Sequence, residues 1–127
     1  DEDSFAISAD VTGLTEPLDR SVSDLRNSAY IGQGVCMDRY MGLSNSEYIS
    51  RLTNLFDKHE VAWQSTILLK DKVLAGASVA CSFAHMGMEA VNLGPGIAAM
   101  HSPYELSSKV DLYMSYKAYK VFFEQYK

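Results

Sequence analysis

The sequence predicts an α/β fold: a mixed β-sheet flanked by helices, in a single unit spanning residues 1–127. Three observations carry this expectation. Short apolar runs of strand length recur along the chain, and segments with apolar residues at helical spacing alternate with them. Clusters of Gly, Pro, Ser and Asn separate the two kinds of segment. At 127 residues, 47% apolar and 21% charged, the chain is long enough to bury one core.

The first run, from Phe5 to Val11, alternates weakly and reads as a buried strand ending near Asp10. Residues 12–27 are polar, contain Pro17, and read as an irregular surface excursion. Tyr30-Ile31-Gly32-Gln33-Gly34 brings the chain back, and Val35 to Tyr40 forms a second strand. Ser44-Asn45-Ser46-Glu47 has the spacing of a capping box, in which a hydroxyl accepts an early amide proton and a glutamate answers it. The helix that follows carries Tyr48, Leu52, Leu55 and Phe56 on one face, with Glu47 and Arg51 as an i, i+4 pair outside. Lys58-His59-Glu60 ends it. Val61 to Ile67 reads as a third strand, rich in β-formers.

Lys70-Asp71-Lys72 makes a charged turn. Gly76-Ala77-Ser78 opens a helix whose packing face is expected at Val79, Phe83 and Met86, with Gly87 just past its end. Ala77, Ala80 and Ala84 let it lie close to a sheet. Met88 to Leu93 is a fourth strand, and Gly94-Pro95-Gly96 turns into a buried run, Ile97 to Met100, that ends at His101. Ser108 with Asp111 caps a last helix, with apolar residues at Leu112, Tyr116, Tyr119 and Phe123. Its further rings at Tyr113, Phe122 and Tyr126 are expected in core or interface.

Several function classes are excluded. A net charge of −5 without a lysine or arginine cluster disfavours nucleic acid as a partner. The apolar runs fall far short of the ~20 residues a membrane helix needs, so no membrane partner is expected. The two cysteines, Cys36 and Cys81, stand apart in apolar contexts, which suits buried thiols of a cytoplasmic, reducing compartment. Paired spacings for a structural zinc site are lacking. The chain starts at Asp1 without a methionine or a signal peptide, and is expected to be a piece of a longer polypeptide.

Asp10 and His101 both follow apolar runs, and in α/β folds such ends converge on one edge of the sheet. Carboxylate oxygen and imidazole nitrogen are the ligand types of hydrolytic zinc. Spacing alone fits equally a turn-capping aspartate and a hydrogen-bonded core histidine.

The segments SADVTG, NSAYIGQGV, the Trp63-Gln64 pair and LGPGIAAMHSPYELSSKVDLYMSYKAYKVFFEQ resemble the C-terminal part of the aspartyl aminopeptidase/aminopeptidase I family of co-catalytic zinc exopeptidases. The resemblance runs from Phe5 almost to the end of the chain. It implies the C-terminal half of a catalytic domain that uses two zinc ions to remove N-terminal residues, acidic ones among the candidates, from peptides. The aspartate of the family's S-A-D motif implies Asp10 as a ligand of one zinc, and the histidine of its M-H-S/A motif implies His101 as a ligand of the other. Groups around Ser102, Pro103 and Glu105 would shape the corner. The resemblance also implies a homo-oligomer.

The family's other histidine, bridging aspartate and Glu-Glu pair lie upstream of the matched segment, so no catalytic base is expected in this chain. His59 and His85 match no family ligand and are expected to be structural or solvated. Where the family has a glycine run followed by threonine, residues 70–78 read KDKVLAGAS. Gly76 and Ser78 are the substrate-contacting positions that remain, while Leu74 and Ala75 add side chains. These features leave three readings: part of a zinc metalloaminopeptidase, a non-catalytic aminopeptidase-like scaffold subunit, or a binding module acting alone.

Overall fold

A computed structural model describes residues 4–16, 26–39, 45–67 and 79–126. Its main sheet has four strands in the order β1-β5-β3-β4: β1 is Phe5–Ser8, β3 Val35–Asp38, β4 Trp63–Thr66 and β5 Glu89–Gly94. β1 runs parallel to β5 and β3 parallel to β4, whereas the central β3–β5 seam is antiparallel. The expected mixed sheet is therefore present. A second sheet, order β2-β6-β7, joins Thr12–Gly13, Gly96–Ala98 and Leu106–Ser107.

The helices are α1 (Ser46–Lys58), α2 (Val79–His85) and α3 (Lys109–Gln125). Val35 and Met37 of β3 and Val91 and Leu93 of β5 pack with Tyr48, Leu52 and Phe56 of α1 and with Ala118, Val121 and Phe122 of α3. Strand alternation then turns Cys36, Asp38, Ala90 and Asn92 toward the opposite face, where α2 lies against β5 and β1.

Several local expectations shift. The first strand stops at Ser8, and Ala9 to Val11 are exposed. The run after Gly96 is a strand only to Ala98, and it belongs to the second sheet. The cap of α1 is Asn45, not Ser44: its side chain accepts the Tyr48 amide at 2.7 Å. Glu89 of β5, rather than Glu47, accepts from the Asn45 backbone amide, so the capping box is closed across the fold. Arg51 lies over the rings of Phe5 and Tyr126.

α1 and α2 both end in a Schellman arrangement. Glu60 (φ 55°) and Gly87 (φ 80°) take the left-handed position, and Val61 and Met88 donate back to Phe56 and Phe83. Gly87 thus fills its expected role. Of the packing face expected for α2, Phe83 is half-buried, but Val79 and Met86 are exposed, and Ala80 is the buried residue. A small residue is buried where this short helix approaches the sheet.

The apolar residues expected on α3 divide: Tyr119 packs against the core and Phe122 is buried in it, whereas Leu112, Tyr116 and Phe123 point outward. The inward face also carries Asp111, Ser115 and Ala118, small and polar residues that let the helix lie close to β3.

Candidate functional site

Asp10 lies in the link between β1 and β2. Its amide donates to the Ser8 carbonyl, and its own Oδ1 accepts the Val11 amide at 2.8 Å. Its other carboxylate oxygen takes no hydrogen bond among the described residues, and the side chain is exposed. The link runs alongside Gly94-Pro95. A Cβ built on Gly94 would stand 2.0 Å from the Asp10 carbonyl oxygen and 3.2 Å from the Tyr119 hydroxyl, so this crossing requires glycine. The Tyr119 hydroxyl donates to the Leu93 carbonyl at 2.7 Å, and burial, then the Asp10 charge, raises its pKa. α3 therefore braces the end of β5 where the Asp10 link crosses it.

From Asp10 the chain enters β2, which pairs in parallel with β6: Thr12 donates to Pro95 and Leu14 to Ile97. Beyond β6 the chain turns through Ala99 to Ser102. Ala99 (φ 55°) and His101 (φ 67°) are both left-handed, a conformation that costs an L-residue about 1–2 kcal/mol. The Ala99 amide donates to Glu16 Oε1 and the His101 amide to Glu105 Oε1, each at 2.7 Å. Ser102 closes the turn onto the Ala99 carbonyl, and its hydroxyl donates to Tyr104 O while accepting the Tyr104 amide. Hydrogen bonds to a charged acceptor contribute roughly 1.5–3 kcal/mol each, enough to offset the strain. The His101 imidazole is exposed and makes no hydrogen bond among the described residues.

Asp10 and His101 thus flank one substructure, ahead of β2 and beyond β6 respectively, with no hydrogen bond or ion pair between them among the described residues. Both keep unengaged donor atoms of the type that binds zinc. Among the described residues, no group of three or more His, Cys, Asp or Glu side chains could hold a metal ion. Gly76 and Ser78 lie outside the described residues. His85 is exposed at the end of α2, and His59 caps the end of α1.

Three polar devices escaped the sequence reading. Asp111 does not cap its own helix: its two oxygens accept the Gly32 and Gly34 amides, each at 2.8 Å, while Ser108 alone caps Val110. The Gln64 amide clamps the same loop through Tyr30 N, Tyr30 O and Gly34 O. The third is a buried row across all four strands, Ser8–Asn92–Asp38–Thr66, in cross-strand register. Asp38 Oδ1 and Asn92 Oδ1 are buried there without a hydrogen-bond partner among the described residues. Burial pushes the Asp38 carboxyl up to about 6. Two residues along the same face, burial first and the Asp111 charge second push Cys36 up to about 12, so it stays a thiol. Cys36 is a free, buried thiol.

Together, the mixed sheet and the small second sheet define an α/β fold, with the Asp10 carboxylate and the His101 imidazole exposed at the two ends of the β2–β6 pair. Comparison with known proteins places the chain further. It matches the family model described as aminopeptidase I zinc metalloprotease (M18) over residues 1–123, and the chain belongs to that family. It is 35% identical to a probable M18 family aminopeptidase 1 from Borrelia garinii, covering 96% of this chain and 28% of that protein. Against the probable M18 family aminopeptidase 1 of Thermotoga maritima it is 33% identical, over 98% of this chain and 29% of the relative.

Among solved structures, the crystal structure of an M18 family aminopeptidase from Thermotoga maritima superposes with a TM-score of 0.90 at 32% identity, covering 98% of this chain and 29% of that one. Aminopeptidase I from Clostridium acetobutylicum gives 0.85 at 33% identity, over 94% and 28%. The chain spans somewhat under a third of the length of these relatives. The expected family and fold class both hold. No helix of the described residues is long and apolar enough to cross a membrane.

Proposed function

We propose that this chain is the C-terminal part of the catalytic domain of a zinc-dependent aminopeptidase that removes N-terminal residues, acidic ones among the candidates, from peptides. The observation that carries the reading is the placing of Asp10 and His101 on one substructure. Each stands at one end of the β2–β6 pair with its metal-binding atoms unengaged, in a chain whose family is a zinc metalloprotease family.

Asp10 would hold one zinc through the carboxylate oxygen that Val11 leaves free, and His101 the other through its imidazole. Bound zinc polarises a carbonyl and lowers the pKa of water. The remaining ligands and the general base come from the rest of the polypeptide. This chain contributes two ligands, fixed in place by the Gly94 crossing and the Ala99–Ser102 turn, and a substrate-side segment with Gly76 and Ser78. The protein works as a cytoplasmic homo-oligomer. Exposed Leu112, Tyr113, Tyr116 and Phe123 on α3 support a further interface, and the buried thiol of Cys36 suits a reducing compartment.

A second reading, a non-catalytic aminopeptidase-like scaffold subunit, is favoured by one observation: residues 70–78 retain a single glycine, Gly76. The experiment that separates the two is turnover by the full-length polypeptide of N-terminal aspartyl, glutamyl and neutral aminoacyl peptides, with and without chelator. Chelator-sensitive turnover supports the enzyme. A folded, zinc-free protein without turnover supports the scaffold.

A further inference from the structure

We propose that Glu16 and Glu105 are positioning residues for His101, each holding one backbone amide of the Ala99–Ser102 turn in the conformation that directs the imidazole outward. The proposal rests on the reading of His101 as a zinc ligand.

The turn contains two left-handed residues, and neither is glycine. Ala99 and His101 would each settle in the right-handed or extended region if left alone. Met100 between them keeps a negative φ, and such alternation presents successive amides to an anion. Here the anions are supplied by the protein. Glu16, 83 residues away in sequence, takes the Ala99 amide, and Glu105, four residues on, takes the His101 amide.

The sign of φ at His101 decides where its side chain faces. Relaxation from 67° to the right-handed region would rotate it by roughly 130° about the N–Cα bond. Glu16 has a second consequence. It ends the short stretch that begins at Asp10 and passes through β2, so one segment carries the first donor and clamps the turn carrying the second. A shift in either end of β2 is transmitted to both donors.

The test uses the full-length polypeptide with Glu16→Ala, Glu105→Ala, and the conservative Glu16→Gln and Glu105→Gln, which keep a carbonyl acceptor. Zinc affinity is read by competition with a chromophoric chelator, and the turn by amide hydrogen exchange at Ala99 and His101. The alanine variants are expected to weaken zinc binding about 10- to 100-fold, the usual cost of losing a group that orients a ligand. They also expose the two amides, while the glutamine variants stay near wild type. Ala99→Gly, which relieves the strain, restores zinc affinity to Glu16→Ala, and this double variant also serves if Glu16→Ala alone does not fold.

Wild-type affinity and wild-type amide protection in the alanine variants overturn the proposal, as does failure of both glutamine and Ala99→Gly to rescue. If the wild-type polypeptide binds no zinc, the metal reading fails separately. The clamp then stands or falls on amide exchange, with loss of protection in the alanine variants alone supporting it and no change overturning it.

Discussion

Replacing Asp38 with asparagine should stabilise the fold at neutral pH and lose that advantage in acid. Asp38 sits at the end of β3, 9% exposed, opposite Asn92 on β5, with one oxygen buried and without a donor among the described residues. Burial raises its carboxyl from the usual 3.8 to about 6. A carboxyl whose folded value is raised favours folding while it is protonated. Its contribution is fully present below pH 3.8 and is lost as pH rises through 6. The rise from 3.8 to about 6 corresponds to about 3 kcal/mol, lost between roughly pH 4 and pH 7. Asparagine is neutral throughout and can donate to Asn92 Oδ1. Urea unfolding followed through the single tryptophan, Trp63, measures both proteins between pH 4 and 8. The difference between variant and wild type should be near zero at pH 4 and rise to about 3 kcal/mol in favour of Asp38→Asn by pH 7.5. A variant less stable than wild type at pH 7.5, or a difference independent of pH, would show that a donor already satisfies the carboxylate.

Other substitutions probe the supports of the site. Asp111→Ala leaves the Gly32 and Gly34 amides without their acceptor and should cost about 3–5 kcal/mol, read as a lower urea midpoint at unchanged slope. Gly94→Ala drives a methyl group into the Asp10 carbonyl, so stability should drop by roughly 1–3 kcal/mol and bound zinc should fall with it. In contrast, Glu60→Gly replaces a left-handed residue at the end of α1 and should raise the melting temperature, with a gain of about 1 kcal/mol. Lys117 binds the Glu60 backbone oxygen, a contact this change leaves in place.

The sequence made the architecture legible where packing follows hydrophobicity. The buried strands around Val35 and Val91, the Tyr48–Leu52–Phe56 face of α1 and the Gly87 stop of α2 obey simple periodicity. It was misleading where a small or polar residue faces inward. α3 turns Ser115 and Ala118 to the sheet because a close approach needs small side chains, and Leu112, Tyr113, Tyr116 and Phe123 are left outside. Asp111 looked like a local cap because Ser108 stands three residues before it, yet both oxygens serve a loop 77 and 79 residues away.

The same limit applies at the site. Asp10 and His101 stood out because each follows an apolar run in a motif shared with a known family. Glu16 lies in a stretch that reads only as polar loop, and nothing local marks it as the partner of Ala99. Asp38 and Asn92 become neighbours only through strand register, which their own segments do not encode.

The most direct test of the account is metal analysis of the full-length polypeptide beside its Asp10→Ala and His101→Ala variants. The account predicts two zinc ions per wild-type chain, with each variant losing zinc and peptide turnover while remaining folded. Variants that keep the full zinc content and full turnover would contradict it.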